Sequence, residues 1–314
     1  MKALVTAELT AQGEARLAAL GYDVVRAGWG VTRQVLDQEA LIQAAVGAAL
    51  IITELEVISA AVLDAVPTLR LLATARGGPV NVALPACAER QIPVVYTPGR
   101  NADSVADFVV GVLLSLLRGV AASERHLRDT GWNVGNDLPY LHFRGPELSG
   151  LVVGVVGNGA VGSRVTQRLR DGFGTRVVVH DPVQGLGPAL PELADQVDVL
   201  TLHCPRVPAT HRLVDAALLA RLGAGWLLNT AGAGIVDEDA LCDALDAGRL
   251  RGAALDCFST EPLPRDSRLL STPGLLLTPH LAGAADDVVR HHSDLICADV
   301  ERWHRGEPLV NTAR

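Results

Sequence analysis

Glu261 and His280 are the two side chains whose types suit proton transfer to a carbonyl. Each lies just beyond a strand-like run, in Leu255-Asp256-Cys257-Phe258-Ser259-Thr260-Glu261-Pro262 and in Leu277-Thr278-Pro279-His280-Leu281-Ala282-Gly283. A carboxylate hydrogen-bonded to an imidazole raises the imidazole pKa and keeps a proton ready for a carbonyl that accepts a hydride. From spacing alone, a solvated glutamate and a structural histidine fit equally well. The second signal is Gly157-Asn158-Gly159-Ala160-Val161-Gly162, between the strand-like Leu151 to Val156 and a helix read through Arg170. Glycines there permit a tight turn, close approach of the backbone to a pyrophosphate and close helix packing, while the helix start offers free N–H groups to the anion. Asp181, 19 residues beyond Gly162, stands where an acid accepts from a ribose 2′-hydroxyl and repels a 2′-phosphate, which favours NAD over NADP.

These residues need a parallel sheet to position them. Lys2 to Thr6, Asp23 to Arg26, Ala49 to Ile52, Leu69 to Thr74 and Pro93 to Tyr96 read as strands with helical stretches between them. An apolar-periodic helix runs from Ala102 to Arg118, with Asn101 or Asp103 as its cap. The Gly- and Pro-bearing stretch Trp132 to Glu147 reads as a connector. Strands resume at Leu151 to Val156, Arg176 to His180, Val197 to His203, Trp226 to Asn229, Ala253 to Cys257 and Leu275 to Thr278, and Asp286 to His304 reads as a final helix returning to the first domain. The expectation is an α/β chain of two doubly wound parallel-sheet domains, in which carboxyl ends of strands line the ligand crevice.

Composition narrows the function. A net charge of −8 argues against a nucleic-acid partner, since phosphate backbones need clustered positive charge. The longest apolar stretch, Phe108 to Leu117, is too short to span a membrane. The start enters a strand-like run without the pattern of a signal peptide, so a cytoplasmic protein is expected. Cys87, Cys204, Cys242, Cys257 and Cys297 are scattered, so neither disulfides nor a metal site is expected, and Cys257 reads as a small core residue. The adjacent pair His291-His292 points in two directions on a helix and is no metal site either. Lys2 is the only lysine, which leaves Schiff-base chemistry without an interior candidate.

Taken with Ala75-Arg76-Gly77-Gly78-Pro79-Val80-Asn81-Val82, Pro98-Gly99-Arg100-Asn101-Ala102, His180-Asp181-Pro182, His203-Cys204-Pro205 and Asn229-Thr230-Ala231, these motifs resemble the D-isomer-specific 2-hydroxyacid dehydrogenase family, which includes phosphoglycerate dehydrogenases and glyoxylate or hydroxypyruvate reductases. The resemblance implies a Rossmann NAD-binding domain, residues 99–284, inserted in a flavodoxin-like substrate domain, residues 1–98 with 285–314, and a cleft between them. It implies His280 as acid/base and Glu261 as its partner. It also implies NAD held by Gly157, Gly159, Ala160, Val161, Gly162, Asp181, Thr210, Thr230, Ala231, Asp256 and Gly283, with His203 and Pro205 near the cofactor, and a homodimer acting on a small molecule.

One position departs from the family pattern. The family carries an arginine in an Asn-x-Ala-Arg-Gly stretch that holds the substrate carboxylate, and this chain has Gly232 there. Losing a preorganised donor at a developing oxyanion costs about 10²–10³ in turnover. The readings left open are an oxidoreductase with an atypical substrate site, a repurposed NAD-binding sensor or scaffold, and a non-redox enzyme on the same fold. In the first, Arg76 beside Gly77 and Gly78 is the preferred substitute, ahead of Arg100 and Arg206, and Gly232 leaves room for a bulkier substrate.

Overall fold

The computed structural model describes residues 1–313 and divides into two compact units, Met1–Asn101 with Ala285–Arg314, and Ala102–Ala284. The chain enters the second unit at Ala102. Arg100 ion-pairs with Glu54 at 2.9 Å and lies 2.9 Å from His292 Nδ1, which ties the turn before the helix to the first unit.

The first unit holds β1 (Lys2–Val5), β2 (Asp23–Arg26), β3 (Ala48–Thr53), β4 (Leu71–Thr74) and β5 (Val94–Val95), all parallel in the order β2-β1-β3-β4-β5. Its strands are nearly continuous apolar runs because helices cover both faces. Alternation then divides each strand between two cores. Leu50, Ile52, Leu71 and Ala73 pack with Leu17, Ile296 and Val300, whereas Leu4, Ile51 and Leu72 pack with Leu41, Val62 and Leu63. Lys2 donates from Nζ to Ala44 O and Val46 O, at 2.7 and 2.9 Å. The lone lysine is therefore a tie to the end of the helix Gln38–Ala45.

The second unit holds β6 (Val152–Val156), β7 (Arg176–His180), β8 (Val199–Leu202), β9 (Trp226–Asn229), β10 (Gly252–Leu255) and β11 (Leu275–Leu277). They form a parallel sheet in the order β11-β10-β9-β8-β6-β7. The chain runs outward from β6 to β7 and then crosses back to β8, which puts the switch point beside β6, where ligand crevices of such sheets lie. Leu200, Leu202, Leu227 and Leu255 face one core, and Val153, Val155, Val199 and Leu228 face the other, against the helix Ala102–Leu117.

Local details depart from the sequence reading. Asp103 is not spent on its own helix start; it pairs with Arg164 and Arg168 at 2.9 and 3.1 Å. The helix after the glycine turn is regular over Ala160–Gln167 and widens to a π-type turn over Arg168–Gly172. A helix, Val120–Thr130, precedes the connector, and a single helical turn, Pro139–His142, lies within it. The excursion leaves through Gly119, at φ 62°, and returns at Gly145, where any Cβ would strike Leu117 O. No single helix among the described residues is long and apolar enough to cross a membrane.

The final helix, Asp286–His304, packs in the first unit, and its Asp299 secures the chain that follows. The buried Asp299 carboxylate accepts from Val310 N at 2.7 Å, Asn311 N at 3.1 Å and Asn311 Nδ2 at 2.9 Å. That segment in turn bonds β5 through Tyr96 N to Asn311 O and Ala313 N to Val94 O, both 2.9 Å. Replacing Asp299 by alanine removes the acceptor of three part-buried donors, so Asp299→Ala should destabilise this unit by about 2 kcal/mol. Urea unfolding followed by circular dichroism reads the loss, and Asp299→Asn should lose less.

Candidate active site

Six loops leave the carboxyl edge of the second sheet, and every sequence-expected site residue of this unit lies on or near one of them. After β10, Glu261 Oε1 accepts from Phe258 N at 2.9 Å, which orients the carboxylate. After β11, His280 Nδ1 donates to Glu261 Oε2 at 2.8 Å. That bond assigns the Nδ1 proton and leaves Nε2 to exchange a proton outward. Partial burial pushes the Glu261 carboxyl up, but the bonds from His280 and from Phe258 N outweigh it and hold the group below the usual carboxylate range. Glu261 is therefore an anion at neutral pH.

The loop that carries His280 is built on Asp256, a residue expected at the cofactor. Its Oδ1 accepts from Thr278 Oγ1 at 2.6 Å and Leu281 N at 2.7 Å, and its Oδ2 from Ala282 N at 2.8 Å. His280 N donates to Asp256 O at 3.0 Å, and His280 sits at φ 55°, a left-handed conformation uncommon outside glycine. Asp256 is thus spent on positioning His280. Thr278 and Phe258, neither expected from sequence, complete this scaffold. Cys257 Sγ lies 3.9 Å from His280 Nε2, and Cys257, Glu261 and His280 place ligand atoms within 4.8 Å of one another. Burial, with Asp256 and Glu261 nearby, pushes the thiol up to about 12, so it stays protonated and is a poor nucleophile or metal ligand.

The glycine turn follows β6 and meets β8. Gly157 is left-handed, at φ 92°, and a Cβ there would stand 2.8 Å from His203 O. A Cβ at Gly162 would strike Gly157 O, whereas the space over Gly159 is open. The helix Ala160–Gln167 starts without a side-chain cap, so the N–H groups around Ala160 and Val161 are free for an anion. Two buried polar atoms on the next loops have no partner, His203 Nδ1 and Thr230 Oγ1. An open cradle, an uncapped helix start and orphaned polar atoms fit a dinucleotide.

Asp181 ends β7 and is buried against that turn. Its oxygens accept from Asn158 N at 2.8 Å, Val183 N at 3.0 Å, Gln184 N at 3.1 Å and Gln184 Nε2 at 3.2 Å. The bond from Asn158 N, then those from Gln184 and Val183, hold its pKa below the usual range against the effect of burial. Thr210 closes the loop after β8, accepting from Val207 N at 2.9 Å and donating to Pro205 O at 2.7 Å. Ala231 N and Gly232 N lie 3.1 and 3.4 Å from Asn229 Oδ1, and Asn229 Nδ2 donates to Gly232 O at 3.0 Å, which fixes the turn after β9. Gly283 follows Ala282 in the His280 loop. Arg76, Gly77 and Gly78 belong to the first unit, where Arg76 reaches Glu54 O at 3.5 Å.

Burial pushes His203 down to about 3, so the ring is neutral in the native protein. An unfolded histidine protonates near 6.5. Between those values the unfolded chain holds the extra proton, so stability rises with pH, by up to ~1.4 kcal/mol per pH unit. Urea midpoints from pH 4 to 7 should show this slope, and His203→Asn should flatten it.

The NAD binding domain of the D-isomer specific 2-hydroxyacid dehydrogenases matches residues 110–282. YoaD of Bacillus subtilis, described as a 2-hydroxyacid dehydrogenase, is 35% identical over 322 residues, covering 99% of this chain and 93% of that protein. The TT0316 protein of Thermus thermophilus superposes with a TM-score of 0.84 at 32% identity over the whole of both chains. An NADPH-dependent glyoxylate/hydroxypyruvate reductase of Sinorhizobium meliloti, solved with NADP and malonate, does so with a TM-score of 0.77 at 30% identity, covering 99% of this chain and 96% of that one. A family model that matches residues 110–282 and a relative 35% identical over 99% of the chain place this chain in the D-isomer specific 2-hydroxyacid dehydrogenase family and make it an oxidoreductase.

Proposed function

We propose that this oxidoreductase reduces a small 2-oxo acid with NADH, with His280 as the proton donor and Glu261 as its partner. The observation that carries the reading is the 2.8 Å bond from His280 Nδ1 to an ionised Glu261, on the sheet edge that also holds the glycine turn. NADH, when bound, supplies the hydride for the carbonyl carbon. His280 gives its Nε2 proton to the carbonyl oxygen and becomes neutral, while Glu261 stabilises the imidazolium before transfer and keeps its ring orientation afterwards. The product is a 2-hydroxy acid, and the spent proton returns from solvent.

Gly157, Gly159, Ala160, Val161 and Gly162 would cradle the pyrophosphate, with His203, Pro205, Thr230, Ala231 and Gly283 lining the cofactor beyond it and Thr210 holding that loop. Asp181 favours NAD, because its carboxylate repels a 2′-phosphate; a ribose hydroxyl would replace the Gln184 side-chain amide, whose 3.2 Å bond is the longest of the four. Five unpaired, buried cysteines suit the reducing cytoplasm.

The excursion Val120 to Phe143 supports a homodimer. Its helix buries no residue, and Trp132, Leu138 and Tyr140 are 72%, 66% and 77% exposed, an apolar surface of the kind a second copy covers.

His280→Ala should lower kcat by at least 10³ with 2-oxo acids while leaving the NADH Kd unchanged. Turnover near that of the unaltered protein would remove His280 from the reaction. Loss of NADH binding in the unaltered protein would remove the cofactor assignment. Sedimentation equilibrium should give a dimer, and Leu138→Asp with Tyr140→Asp should shift it to monomer.

A further inference from the structure

The turn after β9 and the loop after β8 meet at Gly232. Around the position a Cβ would take there, Arg206 Cβ stands at 3.5 Å and Ile235 Cδ1 at 3.7 Å, with nothing closer. These are ordinary contacts, and Gly232 has no left-handed φ, so neither space nor backbone requires glycine. The position leaves open space beside the stem of an arginine. Asn229 fixes the turn on one side, and the Thr210 clamp on Pro205 O fixes the loop on the other, so the juxtaposition is built in.

Arg206 is exposed and has no hydrogen-bond or ion-pair partner among the described residues, whereas Arg212 on the same loop side lies 3.7 Å from Asp237. Arg100 and Arg76 belong to the first unit. Arg100 is paired with Glu54 at 2.9 Å, and Arg76 donates toward Glu54 O at 3.5 Å. The loop after β8 adjoins that after β9, and β10 and β11, which carry Glu261 and His280, follow in order.

We infer that Arg206 and the open space over Gly232 form a carboxylate-binding subsite for the substrate. The guanidinium folds over Gly232 and grips the carboxylate of a 2-oxo acid with two N–H groups, so that the carbonyl faces the His280 side of the edge. The absence of a side chain at 232 leaves the guanidinium room to fold there. The inference deepens the reductase reading and rests on it for the identity of the anion, but the subsite is testable by binding alone.

The experiment uses the full chain loaded with NADH and titrates oxamate, an unreactive 2-oxo acid isostere, by calorimetry beside turnover on glyoxylate, pyruvate and hydroxypyruvate. Arg206→Ala should weaken oxamate binding and lower kcat/KM by about 10- to 100-fold, mainly through KM, with the NADH Kd and the pH profile of kcat unchanged. Adding Gly232→Arg to Arg206→Ala should recover at least tenfold of the loss. Arg265→Ala, which removes an equal charge from the loop after β10, is the control. An unchanged oxamate Kd in Arg206→Ala, an equal loss in Arg265→Ala, or no oxamate binding by the unaltered NADH complex would each overturn the subsite. Oxamate binding that depends on Arg206, without turnover on any 2-oxo acid, would uphold the subsite and overturn the reductase reading.

Discussion

Asp256 ends β10 as a buried carboxylate with both oxygens accepting hydrogen bonds from the loop that follows β11. A charge in that position is tolerated only because it is fully bonded. The bonds are what hold His280 in a left-handed conformation with its ring toward Glu261. Without them the loop would relax, and Glu261 and His280, on separate loops, would have no reason to meet. The reactive pair is thus a consequence of a structural carboxylate one strand end away from it.

The same economy governs the charge state of the edge. Glu261 and Asp181 are held ionised by donated hydrogen bonds, whereas His203 and Cys257 are held neutral by burial. These four groups therefore each keep one protonation state near pH 7. The glycine turn adds partial positive charge at a helix start, and the orphaned Thr230 Oγ1 and His203 Nδ1 lie on the neighbouring loops. These features complement a dinucleotide better than any of them would alone.

Read along the chain, Gly232 offers a substrate no charge. Beside the sheet it looks different, because the space at Gly232 borders Arg206. Sites on parallel sheets draw residues from several loops, and a charge can be supplied from a neighbouring loop without altering the strands that hold the rest.

Local chemistry made much of the protein legible from sequence. Apolar runs marked the strands to within a few residues, the glycine run with its following helix marked the tight turn after β6, and Glu261 and His280 were picked out by residue type at strand ends. These signals arise from neighbours in the chain, from pleat alternation, turn geometry and capping. The π-type turn at Arg168–Gly172, the helix Val120–Thr130 and the engagement of Asp103 with Arg164 and Arg168 were hidden, since they depend on distant partners. Tertiary structure alone decided that Glu261 bonds His280, that Asp256 is spent on a loop, that Asp181 is filled by four donors and that Arg206 borders Gly232. Strand order and hydrogen-bond saturation decide such matters, and both are properties of residues far apart in sequence brought to one sheet edge.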